Sequence, residues 1–168
     1  TIEAALGGGV LLRGRDGCIR DMSSMHGNYR VLSDTGVALE YVFKALDRLK
    51  PARVVWYLDK PVSNSGQLKG VIGDVAKAFG DVKTEVRLVK DPDPLLKKLE
   101  GTESVVVSAD SAVFDECGDW ANLADYVLAI FLPDVELISF DDEKPTIPEM
   151  AVSTESPAVA VRRLTSET

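Results

Sequence analysis

Twice in this chain a short, wholly apolar run leads to an aspartate. Val54-Val55-Trp56-Tyr57-Leu58 ends on Asp59, and Val105-Val106-Val107 passes through Ser108-Ala109 to Asp110. Short apolar runs bounded by turn signals suit strands buried on both faces, and such strands belong to parallel sheets covered by helices. In an open α/β sheet, ligands bind beyond the carboxyl ends of the strands. Two carboxylates delivered to that edge form a candidate site for a metal ion or for phosphate chemistry. The competing reading makes each Asp the cap of the helix that follows, since Asp and Ser are favoured there.

The pattern around these runs is strand, helix, strand, helix. Arg53 to Leu58 is a strand. Leu68 to Phe79 is a helix with Leu68, Val71, Ile72, Val75 and Phe79 on its buried side, closed by Gly80. Lys83 to Val89 alternates as a strand near a sheet edge, and Asp91-Pro92-Asp93-Pro94 is a turn that starts a helix to Leu99. Strands are expected at Ser104 to Ser108 and Tyr126 to Phe131, with a short helix at Ser111 to Glu116 between them. Val135 to Phe140 reads as a last strand or an extended arm. This alternation predicts right-handed crossovers and a largely parallel sheet with helices on both faces. Trp56 and Phe114 are expected to be structural.

Before residue 53 the chain reads differently. Thr1 to Leu6 is a short helix, and Gly7-Gly8-Gly9 is a turn; no Gly-Lys-Ser/Thr follows it, so it is not a phosphate loop. Val10 to Arg13 and Cys18 to Met22 form a hairpin around Gly14-Arg15-Asp16-Gly17. A polar, aperiodic segment follows, holding His26, Asn28 and Arg30, and it is expected to border the carboxyl edge. A helix then runs from Ser33 or Asp34 to about Lys50, with Val37, Leu39, Tyr41, Val42, Ala45, Leu46 and Leu49 as its apolar positions. After Asp141, Pro145, Pro148 and Pro157 mix with Ser, Thr and Glu. An extended or mobile tail over 141–168 is expected, docking through Val159, Val161 and Leu164.

The 168 residues suit one domain with a real core. A formal charge of -8 argues against a broad nucleic-acid face, yet leaves room for a local groove where a bound metal offsets acidic ligands. Cys18 and Cys117 fit no metal spacing and read as reduced thiols, and the lack of Cys and His clusters excludes zinc. No Gly-x-Ser-x-Gly elbow and no Gly-x-Gly-x-x-Gly fingerprint is present. No apolar run approaches the ~20 residues of a membrane span, so no membrane partner and a cytoplasmic location are expected.

Five stretches carry a family resemblance. They are Ala4-Ala5-Leu6-Gly7-Gly8, Asp16-Gly17-Cys18-Ile19-Arg20-Asp21, His26-Gly27-Asn28-Tyr29-Arg30, Leu58-Asp59-Lys60-Pro61-Val62-Ser63-Asn64-Ser65-Gly66, and Ser108-Ala109-Asp110-Ser111-Ala112-Val113-Phe114-Asp115. Together they resemble an uncharacterised archaeal protein family that is similar to the PIN-like nuclease fold. The resemblance spans roughly residues 1–131, and the loop at Ser63 to Gly66 is its most particular part. It implies a three-layer α/β/α sandwich with a mainly parallel central sheet and an N-terminal β-hairpin, as a PIN-like domain over 1–140. In that family a strand ending in an Asp-Gly-Tyr-Asn-like turn precedes the equivalent of Thr1, so the domain is expected to lack its first strand.

The resemblance also implies Mg²⁺ or Mn²⁺ and hydrolysis of phosphodiesters. Asp59 and Asp110 match the strand-end metal ligands, and Asp115 is a further ligand or a supporting acid, giving a catalytic set of Asp59, Asp110 and Asp115. These two strand-end acids are expected on adjacent parallel strands, facing one cleft. Ser63, Asn64, Ser65 and Ser111 are suited to phosphate oxygens or metal-bound waters. Lys60, Lys69, Arg20, His26 and Arg30 are suited to a nucleic-acid backbone, because phosphate contacts position a strand without reading its sequence. Hydrolysis would rest on the metal activating water and neutralising charge on the phosphate. The expected function is a metal-dependent ribonuclease-like enzyme with RNA as its candidate partner. Few carboxylates match, so weak or absent cleavage is expected of this chain. The alternative is a non-catalytic α/β module that binds RNA or a protein partner through the same edge. Monomer and homodimer both stay open.

Overall fold

The computed structural model describes residues 1–21, 33–61, 64–100, 102–109, 113, 115–139 and the backbone of 158–162. In chain order its elements are α1 (Ile2–Leu6), β1 (Leu11–Arg13), β2 (Ile19–Asp21), α2 (Ser33–Leu49), β3 (Arg53–Asp59) and α3 (Ser65–Ala78). There follow β4 (Thr84–Val89), α4 (Asp93–Lys97), β5 (Ser104–Val107), α5 (Leu123–Phe131), β6 (Leu137–Ser139) and β7 (Ala158–Arg162). The fold is mixed α/β with two small sheets.

The four-stranded sheet has the order β4-β3-β7-β5, and every pair in it is parallel. Its centre is β3, where Val54 to Leu58 are all buried. Alternation divides them between two cores. Val54, Trp56 and Leu58 join the larger core with Leu39, Phe43 and Leu46 of α2, Leu68 and Ile72 of α3, and Val127 and Leu128 of α5. Val55 and Tyr57 join a smaller one with Leu96 of α4, Val106, Val113 and Cys117.

The direction of α2 follows from one stacked pair. Phe43 and Trp56 lie with ring centroids 5.9 Å apart and planes at 22°. Phe43 stands six residues before the end of α2, a rise of ~9 Å. Trp56 stands three residues into β3, a rise of ~10 Å. The two rises match, so α2 folds back along β3 and its amino end lies toward Asp59. The reversal happens at Lys50, whose φ of 51° is left-handed and whose N–H reaches Leu46 O at 2.9 Å; Pro51 then forbids further helix.

The hairpin of β1 and β2 forms as expected, with Leu11 opposite Asp21 and Arg13 opposite Ile19. Gly17, at φ 76°, supplies the left-handed residue the turn requires. Asp16 accepts from the Cys18 N–H and from Arg20, and the Arg20 guanidinium holds its carboxyl below the usual carboxylate range. The hairpin does not join the parallel sheet. It makes a second sheet of order β2-β1-β6, with β6 parallel to β1.

One expectation is corrected. The run Tyr126 to Phe131 is a helix, not a strand. Asn122 accepts the Asp125 N–H at 3.3 Å, a helix cap, and the buried residues Leu123, Val127 and Leu128 recur at helical spacing. Of the stretch 141–168, the described residues are 158–162. Its residues 158–162 are β7, an inner strand paired with β3 on one side and β5 on the other. The expected tail contacts Val159 and Val161 thus lie in a central strand, and Leu164 falls outside the described residues. So do Phe114 and the segment 22–32.

Candidate functional site at the carboxyl edge of the parallel sheet

All four strands of the parallel sheet end at one edge, because every pair is parallel. Asp59 is the last residue of β3, paired with Val89 at the end of β4. Its position in the alternation puts it on the side of Val55 and Tyr57, toward α4. The residue is half-buried, and its Oδ1 is shielded from solvent.

The chain leaves this edge through the loop expected to bind phosphate. The Lys60 N–H continues the ladder to Val89 O at 2.6 Å, and the Lys60 side chain is exposed. Asn64 takes φ 68°, a left-handed conformation that Asn tolerates, and the next residue starts α3. Asn64 is exposed; Ser65 is half-buried and its Oγ donates to Lys60 O at 3.3 Å. The amino end of α3 therefore opens on the same edge as Asp59, with the partial positive charge of a helix start.

One acid at this edge was not legible as such in the sequence. Asp93 begins α4 four residues beyond Val89, which is the partner of Asp59. Its Oδ1 is also shielded, and its N–H donates to Asp91 Oδ1 at 3.2 Å. The sequence shows an Asp-Pro-Asp-Pro turn. Only the β3–β4 register shows that the turn follows the strand end paired with Asp59, and Leu96 of the helix it starts packs on the face of Val55 and Tyr57.

Asp115 lies in the turn after Val113 and is exposed. Val113 and Cys117 pack in the smaller core, and Lys97 of α4 bonds Glu116 at 2.8 Å, so this turn covers the same face of the sheet. Among the described residues, no group of three or more His, Cys, Asp or Glu side chains is placed to hold a metal ion. Asp110, Ser111, Ser63, His26 and Arg30 lie outside the described residues.

The expected adjacency of the two strand-end acids is corrected. β3 and β5 are not neighbours, because β7 runs between them. Their backbones are therefore two strand spacings apart, ~9.5 Å. Val107 and Trp56 both pair with Val161, so they stand at one level of the sheet. Asp110 follows Val107 by three residues, as Asp59 follows Trp56. Of the cations considered, Arg20 is engaged by Asp16 in the hairpin. Lys69 is exposed on α3.

No described helix is long and apolar enough to cross a membrane. No curated protein and no solved structure matches the chain. The family described as Domain of unknown function (DUF5616) matches residues 1–126, which take in both sheets' first strands, β3 and its Asp59 loop, and β5. The match covers most of the 168 residues, and the chain belongs to that family.

Proposed function

We propose that the chain is a Mg²⁺- or Mn²⁺-dependent phosphodiester hydrolase of the ribonuclease type, on a PIN-like α/β/α arrangement. The observation that carries this reading is Asp59, a half-buried carboxylate closing the central strand of a parallel sheet. The polar Lys60–Ser65 loop and a helix start lie immediately beyond it. The layered arrangement draws support from β3, which buries both faces against separate cores.

The donor chemistry fits a hard divalent cation, which prefers carboxylate oxygens and retains waters. Asp59 and Asp110 would hold the ion, with Asp115 as a further acid. Bound there, the ion supplies an activated water and neutralises charge on the phosphate. The chain's own residues position the substrate: Ser63, Asn64, Ser65 and Ser111 hydrogen-bond phosphate oxygens, and Lys60, Arg30 and His26 hold the RNA backbone. Asp93, which starts α4 four residues after the strand end paired with Asp59, would add negative charge to the same edge.

The test is Mn²⁺ titration by calorimetry with single-stranded RNA cleavage measured in parallel. Asp59→Asn and Asp110→Asn should each weaken Mn²⁺ binding at least tenfold while leaving the circular dichroism spectrum unchanged, since the amide keeps the shape and loses the charge. A chain that binds no Mn²⁺ or Mg²⁺, or binds it equally well without either carboxylate, leaves instead the non-catalytic module that binds RNA or a protein partner.

A further inference from the structure

The two edges of the parallel sheet are treated differently. On β5, the Val106 N–H bonds Asp119 O at 2.9 Å and the Ala121 N–H bonds Val106 O at 2.9 Å, so the segment at Trp120 covers that edge. On β4, six residues long, no strand pairs with the outer edge among the described residues. An uncovered strand of this length is a template for pairing with another chain.

The ladder fixes which groups face outward. Val54 donates to Lys83 O at 2.7 Å and Lys60 donates to Val89 O at 2.6 Å. In a parallel pair, alternate residues turn both N–H and C=O to the same neighbour. Lys83, Glu85, Arg87 and Val89 therefore face β3, and Thr84, Val86 and Leu88 present their backbone groups to the outside.

The side chains then select the occupant. Glu85 and Arg87 lie on one face, both roughly half exposed, and bond each other at 2.7 Å. Arg87 is held in place by the Tyr57 hydroxyl at 3.2 Å and by the Tyr57 ring. An antiparallel copy of β4 placed with Val86 on the two-fold axis sets Thr84 against the partner's Leu88, so the outward backbone groups pair with each other. The same register sets Glu85 against the partner's Arg87, and Arg87 against the partner's Glu85. These are non-hydrogen-bonded positions, where side chains stand closest. Backbone parity and charge thus agree on one register. We propose that this edge is the dimer interface of the protein, joining two β4 strands antiparallel across a two-fold axis into one eight-stranded sheet. A C₂ interface must be self-complementary, and this hexapeptide is.

The experiment is sedimentation velocity on the full chain, with folding of every variant checked by circular dichroism. The wild-type chain should form dimers. Glu85→Arg and Arg87→Glu each place like charges opposite one another twice per dimer, and each should weaken dimerisation roughly tenfold or more. Mixing the two variants should restore a dimer, because the heterodimer alone again opposes unlike charges. Val86→Pro should give a monomer, because it removes an outward N–H and leaves the bonds to β3 in place. A wild-type chain that stays monomeric to ~0.5 mM, far above the micromolar range of a stable dimer, overturns the proposal. So does a dimer that survives Val86→Pro, or one whose single variants fail to complement on mixing.

Discussion

Arg13 of β1 and Asp125 of α5 form an ion pair at 2.5 Å, with side chains 15% and 5% exposed. The two residues are 112 apart in sequence, and the pair binds the hairpin to the helix. Beside it, Asn122 serves both partners: its carbonyl caps the Asp125 N–H, and its amide donates to Gly17 O of the hairpin turn at 2.6 Å. The small sheet is thus held on the body of the molecule by polar contacts made at the start of α5.

A buried pair of this kind stabilises little in net terms, but breaking one side leaves an uncompensated charge. Arg13→Ala should therefore destabilise the protein by about 3 kcal/mol. The double variant Arg13→Met/Asp125→Leu should recover at least half of that loss, because neither charge is then buried. Urea denaturation of the three proteins measures both quantities. A loss under 1 kcal/mol for Arg13→Ala would show that the pair is solvated in solution.

Cys18 is 2% exposed, and burial followed by the nearby Asp16 charge pushes its thiol up to about 11 from an ordinary 9.0. In the unfolded chain the thiol ionises first. Between pH 9 and 11 the folded state therefore carries the extra proton, and stability falls as pH rises. It is fully present below the unfolded pKa and lost through the folded one. The fall over that window should reach roughly 2 kcal/mol. The difference in slope between the wild-type chain and Cys18→Ala isolates it from other titrating groups. Equal slopes would mean that Cys18 meets solvent. In the native state at pH 8 both Cys18 and Cys117 should resist alkylation, since both are buried and the reactive thiolate is suppressed in each.

The strand β7 sets the limit of what sequence could show. Ala158 to Val161 is small and apolar, and with Arg162 it makes a strand of five residues, as an inner parallel strand can be. It stands among prolines, serines and threonines, and local composition outweighed it. Nothing local states that a strand at residue 158 inserts between one at 53 and one at 104; that is a non-local pairing. The same limit hid that Asp93 follows the strand end paired with Asp59. By contrast β3, the hairpin and α2 were legible, because Val54–Asp59, the Asp16-Gly17 turn and the Lys50-Pro51 stop each declare themselves within a few residues. The strand expected at Tyr126–Phe131 failed for a different reason. A six-residue apolar run suits either a buried helix or a strand, and Asn122 was the deciding signal.

Inner position has a measurable consequence. Ala160 pairs with Val55 and with Val106, so its backbone lies within ladders on both sides. Ala160→Pro removes a ladder N–H and forces φ, and should cost about 3 kcal/mol or more. If a chain carrying it melts within 2 °C of wild type, β7 is not an inner strand in solution.

The last expectation concerns Trp56, and it separates packing from recognition. Its ring is 5% exposed and stacks on Phe43, which in turn stacks on Phe79 at 5.7 Å. A ring so placed is unavailable to a base, so it belongs to the core as the sequence indicates. Yet its Nε1 is buried with no hydrogen-bond acceptor among the described residues. A buried donor without a partner costs about 1–3 kcal/mol. Trp56→Phe removes that donor but loses part of the ring, leaving space that costs about the same. The two effects oppose each other, and the net change should lie within about 1 kcal/mol of wild type. Trp56→Ala has no such offset and should cost about 3–5 kcal/mol. The ratio of the two losses, read from chemical denaturation, is the informative quantity. Similar, large losses for both would mean that the indole N–H has an acceptor in solution, and small losses for both would place the ring at the surface, free to stack on RNA.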